Sequence, residues 1–217
     1  MSRSIIRFCS AVALCAFGSL LLAQTETTID ARGPERAAPW HAQGAGWSIG
    51  VDGNSLQAAL TTYGQNLTTG KTADYELMVT NTGTKPVMVP RALEWSDVDS
   101  GGPEQNYKIA KVVFQLGTKQ SFTNLTPMLN LYSVEPKPST QLTLNPGDSV
   151  RILGTLSLPP AESHPNWSGA ATLTAHFCVS SIRIASPAGP THKNSSENRM
   201  LWCVTARPTY DVKLSQK

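Results

Sequence analysis

The sequence is poor in charged and aromatic residues. Asp, Glu, Lys and Arg make up 15% of the 217 residues, and Phe, Trp and Tyr make up 7%, whereas an average soluble domain is about 25% charged. The 18 basic residues nearly balance the 15 acidic ones, so the formal net charge is only +3. A nucleic-acid-binding protein needs clustered Lys and Arg to neutralise phosphates, and a coiled coil needs a sequence rich in Ala, Glu, Lys and Leu. This composition argues against both classes.

The N-terminal segment has the pattern of a secretory signal. Arg3 and Arg7 precede an apolar run over residues 8–23, after which the sequence becomes polar. A basic start, a short apolar stretch and a small residue at its end are typical of a signal peptide. The run is shorter than the roughly 20 residues that span a bilayer. We therefore predict a signal peptide at residues 1–23, with an uncleaved N-terminal anchor as the alternative.

Cysteine is scarce, and its placement predicts one disulfide. Of four cysteines, two fall in the predicted signal peptide, which leaves Cys178 and Cys203 in the exported chain. Two cysteines in an oxidising compartment most often form a bridge. Predicted strands at residues 170–184 and 199–207 flank a turn-rich segment around Pro190, and antiparallel pairing about that segment places the two cysteines opposite each other. A redox or metal site would need a closer cysteine pair or nearby histidines.

Turn-forming residues divide the rest of the chain into short extended runs. Glycine (16) and proline (15) are plentiful, and no long stretch has helical periodicity. Residues 24–46 are polar and turn-rich, which predicts an extended leader or linker, and residues 47–214 are predicted to form one domain. The predicted strands are 47–51, 56–62, 75–80, 86–90, 108–116, 141–144, 149–158, 170–184, 199–207 and 210–214.

Short strands with frequent turns predict an all-β fold, an antiparallel two-sheet sandwich with long surface loops. Residues 97–107 and 117–140 are predicted to be those surface excursions. One face of each strand should supply the core. The predicted core residues are Leu77, Val79, Val87, Val89, Val113, Ile152, Leu156, Leu173, Phe177 and Trp202.

Two turn motifs resemble those of a known class of domains. Residues 75–90 read YELMVTNTGTKPVMVP, and residues 144–149 read LNPGDS. A strand, an Asn-Thr-Gly turn, a second strand and a later Pro-Gly-Asp-Ser turn resemble exported bacterial immunoglobulin-like sandwich modules. The resemblance implies an immunoglobulin-like sandwich that acts as a spacer, adhesion or ligand-binding module of the cell envelope, with no catalytic residues to transfer.

No motif of enzymatic catalysis is present. The sequence lacks a Gly-x-Ser-x-Gly elbow, a His-Glu-x-x-His helix, a Walker loop and a dinucleotide fingerprint, all of which have fixed spacings. Its four histidines are scattered, and only His176 lies on a predicted strand. The acidic turn from Asp97 begins like a calcium loop, but the closing position is Lys108 rather than Glu. We predict no enzyme, cofactor or metal, with a secreted hydrolase lacking a known motif as an alternative.

Aromatic residues in predicted loops are the candidate ligand-binding groups. Trp95, Trp167, Tyr107 and Tyr132 could stack on sugar faces, as aromatic side chains do in carbohydrate-binding sandwiches. The other interpretation is that each tryptophan plugs or caps the sandwich. The leading hypothesis is a secreted or periplasmic, non-enzymatic binding or structural module. Its partner would be a protein or polysaccharide of the cell envelope, met through end loops or an open sheet edge, and the alternative is a carbohydrate-binding module that uses the exposed tryptophans.

Overall fold

The computed structural model describes residues 24–33, 43–49, 56–98, 106–119, 121–184 and 195–216; the predicted signal peptide lies outside them. The described residues form strands, apart from 3-10 turns at Trp95–Asp97, Pro138–Thr140 and Ala161–Ser163. The strands are β1 (Glu26–Asp30), β2 (Gln43–Ile49), β3 (Leu56–Thr62), β4 (Asn66–Thr68), β5 (Thr72–Asn81), β6 (Val87–Pro90), β7 (Asn106–Gly117), β8 (Phe122–Glu135), β9 (Gln141–Leu144), β10 (Ser149–Ser157), β11 (Gly169–Ile184), β12 (Ser195–Ala206) and β13 (Val212–Ser215).

The strands are arranged in three sheets. Sheet 1 has the order β1-β10-β5-β3-β2, sheet 2 has the order β4-β13-β11-β7-β8 with β12 also on β11, and sheet 3 pairs β6 with β9. The pairs β1–β10 and β4–β13 are parallel and the other pairs are antiparallel. The predicted all-β class is therefore confirmed.

Sheets 1 and 2 bury one face each in a common core. Along β5, Tyr75, Leu77 and Val79 are buried while the residues between them are partly exposed. The same alternation on β11 buries Leu173 and Phe177, as expected where one face of a strand meets a core. These side chains belong to one contiguous hydrophobic cluster. The arrangement is consistent with a β-sandwich.

One predicted core residue is wrong by a single position. Val113 is only partly buried, whereas its neighbours Val112 and Phe114 are 0% and 3% exposed. Because side chains alternate between the faces of a strand, a shift of one residue exchanges the inner and outer sets. Because consecutive residues of β7 are apolar, the sequence did not show which alternate residues of this strand face the core. The other predicted core residues are buried.

The predicted loop at residues 117–140 is also wrong. Phe122–Glu135 forms β8, which pairs with β7 along most of its length. The pairing register shifts between Val112 and Phe114, so the alternation on β8 is interrupted. This irregularity, together with Pro127 in the sequence, hid the strand, because sequence reasoning relies on an unbroken two-residue period.

Part of the predicted leader is a strand of sheet 1. Residues Glu26–Asp30 pair in parallel with β10, and the buried side chain of Ile29 joins the core. Beyond it, Arg32 is 6% exposed and forms an ion pair with Asp30 at 2.6 Å. Only one side chain of β1 is in the core, so the strand carries almost no hydrophobic pattern.

The two motifs behind the family resemblance meet in space at Asn81. Its side-chain Nδ2 donates to the carbonyl oxygens of Lys85 and Leu144, both at 2.8 Å, and its Oδ1 accepts from the Gly83 backbone N–H at 3.0 Å. Asn81 is fully buried. It therefore holds the start of sheet 3 against the end of sheet 1. The Asn-Thr-Gly turn does not join β5 and β6 into a hairpin, because β6 pairs with β9.

The second motif forms a tight turn that completes this junction. Gly147 has φ +91°, and the Asp148 N–H donates to the Asn145 carbonyl at 2.9 Å, which is the turn that Pro followed by Gly favours. The Asp148 carboxylate accepts from the backbone N–H groups of Thr25 (3.0 Å) and Asn145 (2.9 Å). The Thr25 hydrogen bond is the main cause that lowers the pKa of Asp148, and it ties the N-terminal strand to this turn.

The predicted disulfide between Cys178 and Cys203 is confirmed. The two residues face each other on β11 and β12 with a Cα–Cα distance of 4.0 Å. Both side chains are half-buried and lie on the outer face of sheet 2, opposite the face that carries Phe177. The bridge therefore fastens β12 to the sheet from outside the core.

Gly154 lies beneath the aromatic ring of a residue on the neighbouring strand. In sheet 1, Gly154 is paired with Tyr75, and a Cβ on Gly154 would come within 2.7 Å of Tyr75 Cε1. The Tyr75 ring is buried and packs against Phe114 with a centroid distance of 4.5 Å. Glycine is required here because the ring occupies the space that a side chain would take.

We expect Gly154→Ala to lower the free energy of unfolding by about 2 kcal/mol, because the new methyl group forces the buried Tyr75 ring to move. Urea denaturation measures the change. In a double-mutant cycle with Tyr75→Leu, the two substitutions together should cost less than the sum of the single changes. Strict additivity would contradict the steric explanation.

Asp148→Asn should lower the free energy of unfolding at pH 7 by about 2 kcal/mol. The two oxygens of the Asp148 carboxylate accept from the backbone N–H groups of Thr25 and Asn145, and an amide has only one acceptor oxygen. The folded-state pKa of Asp148 is lowered, so its stabilisation is complete above the unfolded-state pKa and is lost as pH falls through the folded-state pKa. Denaturation between pH 7 and pH 2 should therefore show a shallower acid loss in the variant. As a control, Asp97→Asn at an exposed site should change stability at pH 7 by less than about 0.5 kcal/mol.

Replacing both cysteines with alanine should lower the free energy of unfolding by about 3 kcal/mol, since the bridge closes a loop across 25 positions of sequence separation. Chemical denaturation of the variant and of the wild type with and without reductant measures this. The reduced wild type should match the variant. Equal stability of all three forms would show that the bridge constrains nothing.

Candidate functional site

Three of the four predicted binding aromatics come together on the outer face of sheet 2. Trp95 packs on Tyr107 (centroids 5.0 Å apart) and meets Tyr132 edge-on (5.5 Å). Tyr107 is only 2% exposed, and Trp95 and Tyr132 are half-buried. The rings belong to a second hydrophobic cluster with Val98 and Ile182. They pack on one another, and they do not form a row of open ring faces.

This second cluster is covered by the chain that follows β6. Ala92 forms two backbone hydrogen bonds with Tyr132 on β8, of 3.0 and 2.7 Å, and the 3-10 turn at Trp95–Asp97 then brings the indole over the sheet. Lys137 Nζ donates to the Asp97 carbonyl and holds that turn. Among the described residues, no partner accepts from the buried Trp95 Nε1.

Trp167 lies in the main core and apart from the other three aromatics. It is 4% exposed and stacks on the His164 ring with centroids 4.0 Å apart and an interplanar angle of 12°. The backbone N–H of Trp167 donates to the His164 carbonyl at 3.1 Å. The two tryptophans singled out from the sequence therefore belong to different hydrophobic clusters.

The ionisable side chains of the described residues form no candidate metal site. No group of three or more His, Cys, Asp and Glu side chains there could hold a metal ion. His176 lies within 3.1 Å of the Thr205 hydroxyl, and burial, with a smaller effect of the Arg207 charge, lowers its pKa. Within those same residues, no helix has the length and apolar character needed to cross a bilayer.

The most exposed aromatic ring in the described chain belongs to Phe122, which the sequence did not single out. Its exposed fraction is 74%. Phe122 begins β8 and is paired with Gly117 at the end of β7. A Cβ on Gly117 would lie 2.7 Å from Phe122 Cε1 and 3.0 Å from Cδ1. One side of the ring therefore rests on the glycine, in the manner of an aromatic that covers a glycine across strands, and the remainder faces solvent.

The turn beneath Phe122 is fixed by hydrogen bonds. The Thr118 N–H donates to the Ser121 carbonyl at 2.9 Å, and the Ser121 N–H donates back to the Thr118 hydroxyl at 3.2 Å. These bonds set where β8 begins, and so they set the position of the Phe122 backbone. The exposed ring thus follows a residue, Ser121, whose backbone is hydrogen-bonded to Thr118.

Polar side chains lie beside Phe122 on the neighbouring strands and form a row with it across the sheet. Thr172 on β11 is the pairing partner of Gly117, and its hydroxyl donates to Asp211 Oδ1 at 3.4 Å. Residues paired across strands share one face of a sheet, so the row from Phe122 to Asp211 lies on the outer face of sheet 2. Asp211 precedes β13, where the chain returns to the edge of β11.

Two adjoining hollows surround this row. One, of about 270 Å³, is lined in part by Phe122, Thr172 and Asp211, and the other, of about 320 Å³, is lined in part by Asn166 and Ser168. Both include Thr118, Lys119 and Ala170, so they form one groove, which we call the Phe122 groove. Each hollow by itself is close to the lower limit of about 300 Å³ for small-ligand sites.

A further cleft of about 370 Å³ lies elsewhere on the surface, beside sheet 3. It is lined by Met88, Glu135, Pro136, Pro138, Gln141 and Thr143. Its lining contains prolines and a methionine, and Glu135 is already ion-paired with Lys108. Because it lacks an exposed aromatic side chain among its lining residues, we take the Phe122 groove as the candidate functional site.

Comparison with known proteins identifies no family. No family model and no curated protein matches the chain. One similar solved structure is Spo0M, a sporulation control protein from Bacillus subtilis, with 7% identity and a TM-score of 0.31 over 74% of this chain and 49% of that chain. The chain thus spans about half the length of that protein. AvmM, described as catalysing macrocyclization in alchivemycin A biosynthesis, has 13% identity and a TM-score of 0.31, with 76% and 92% covered.

Proposed function

We propose that this protein is an exported, non-enzymatic binding module of the cell envelope, built as an immunoglobulin-like β-sandwich, and that it recognises its ligand through the Phe122 groove. The observation that carries the proposal is the exposed Phe122 ring, which rests on Gly117 at the edge of a polar groove. A large apolar ring held in water costs free energy that binding can recover.

Export is supported by two independent features. The first is the basic and apolar pattern of residues 1–23, and the second is the Cys178–Cys203 bridge, since disulfides persist in oxidising compartments. The immunoglobulin-like assignment is supported by the two largely antiparallel sheets and by the contact between the Asn-Thr-Gly and Pro-Gly-Asp motifs at Asn81.

The position of the Phe122 groove also supports a binding role. The groove lies where β7 ends and where β8 and β11 begin, so it sits at one end of sheet 2. Turns and strand ends of a rigid sandwich commonly carry binding residues, because the scaffold holds them in place. The alternative site through Trp95 and Trp167 stays a prediction, and both side chains already pack within hydrophobic clusters.

We expect the full chain, produced with its own N-terminal segment in a bacterial host, to be recovered from the periplasm or medium and to sediment with cell-envelope fragments. Phe122→Ala should reduce the sedimented fraction several-fold, because it removes the exposed ring and leaves the fold intact. Met200→Ala is the matched control, since Met200 is 63% exposed on β12 and lies outside the groove. Recovery of the wild type in the cytoplasm, or equal sedimentation of all three proteins, would contradict the proposal.

A further inference from the structure

We propose that the ligand of the Phe122 groove is a carbohydrate, with one sugar ring stacked on the open side of Phe122 and its hydroxyl groups bound by the polar wall that ends at Asp211. This inference rests on the proposed function and names the class of ligand. It is carried by the apolar ring and the row of polar groups beside it on one sheet face.

The ring offers one usable side. Three of its atoms, Cδ1, Cε1 and Cζ, lie within 3.7 Å of the place where a Cβ of Gly117 would be, so this part of the ring lies against the sheet. Phe122 as a whole residue is 74% exposed, so most of its surface faces solvent. The face of an aromatic ring carries partial negative charge, and the C–H groups on the apolar face of a pyranose carry partial positive charge. The two surfaces are therefore complementary in shape and in charge.

The groove wall supplies the hydrogen-bonding groups that sugar hydroxyls need. Asp211 is exposed and accepts from Thr172, which orients its carboxylate towards the groove row. Asn166, Ser168 and Lys119 are exposed residues of the same groove and add an amide, a hydroxyl and an ammonium group. The lining of the groove thus contains both hydrogen-bond donors and acceptors, as the hydroxyls of a sugar require.

A protein ligand fits the same surface less well. The large hydrophobic residues exposed in the described chain are Tyr63, Leu93, Phe122 and Met200, and of these only Phe122 lines the groove. Stable protein interfaces bury about 800 Å² on each partner around a cluster of apolar anchors. One ring among polar groups, in hollows of about 270 and 320 Å³, matches the scale of a small polar ligand instead.

The test measures binding of the full, oxidised chain to a printed glycan array and to insoluble chitin, cellulose and peptidoglycan sacculi. The wild type should bind at least one of these glycans. Phe122→Ala should weaken that binding about tenfold, the scale of one aromatic stacking contact, and Asp211→Ala should weaken it several-fold. Phe122→Trp should retain binding, because an indole offers the same kind of face. The control variant Met200→Ala should bind like the wild type.

Gly117→Ala tests the position of the ring and keeps the ring itself. The new methyl group would meet Phe122 Cε1 at 2.7 Å and push the exposed ring off the sheet. Because that ring is free to move into solvent, the melting temperature should change little, whereas glycan affinity should fall as far as in Phe122→Ala. Unchanged affinity in Gly117→Ala would show that the resting position of the ring does not matter and would overturn this geometry.

The two proposals fail in different ways. If the wild type sediments with envelope fragments through Phe122 but binds no glycan, the carbohydrate inference is wrong and the ligand is a protein of the envelope. If the wild type binds a glycan and Phe122→Ala binds it equally well, the inference is wrong about the site. If the wild type binds neither glycans nor envelope fragments, the proposed function itself fails.

Discussion

The buried junction at Asn81 and Asp148 is the constraint on which the rest of this sandwich depends. Asn81 ends β5, and its amide holds the carbonyl groups of Lys85 and Leu144, one on each side of sheet 3. Asp148 holds the backbone of Thr25 at the start of β1. Buried polar groups are stable only when they are paired, so this one point fixes where sheet 1 ends, where sheet 3 attaches and where the N-terminal strand joins.

The parts of the fold that follow a regular period could be predicted from the sequence. The cysteine register followed from antiparallel pairing about a turn-rich segment, and Gln141–Leu144 and Leu56–Thr62 have the predicted bounds. The failures share one physical cause, which is that the period was absent or ambiguous. Strand β1 buries a single apolar residue, and β8 contains a register shift. The Asn-Thr-Gly turn is held by hydrogen bonds of the buried Asn81 side chain, and neither Asn81 nor Gly83 has the positive φ that a tight hairpin turn would use.

The candidate site was missed for a different reason. Trp95 and Trp167 were predicted because tryptophan is the usual stacking platform, but Trp167 is buried in the core and Trp95 is half-buried against a second cluster. Phe122 carries no motif. A signal does exist in retrospect, since Gly117 and Phe122 flank a short turn and so become cross-strand partners once that hairpin is known. The same pairing at Gly154 and Tyr75 lies in the core. A cross-strand pair of a glycine and an aromatic residue therefore occurs twice, once in the core of the sandwich and once on its outer surface.

The shared edge of β11 has a consequence for how such a module diversifies. Strand β13 pairs with residues 169–171 of β11, and β12 pairs with the same edge from residue 175 onward. The chain between them, from Arg207 to Asp211, therefore joins two anchors that are held independently of its length. Within it, Tyr210 packs against the core and its hydroxyl lies 2.7 Å from the Thr62 hydroxyl, so we expect tolerated changes at the exposed residues Arg207 and Asp211, of which Asp211 forms part of the groove wall. Under the proposed function, a change at Asp211 would alter the groove wall while both strand registers stay in place, much as a graftable loop serves an engineer.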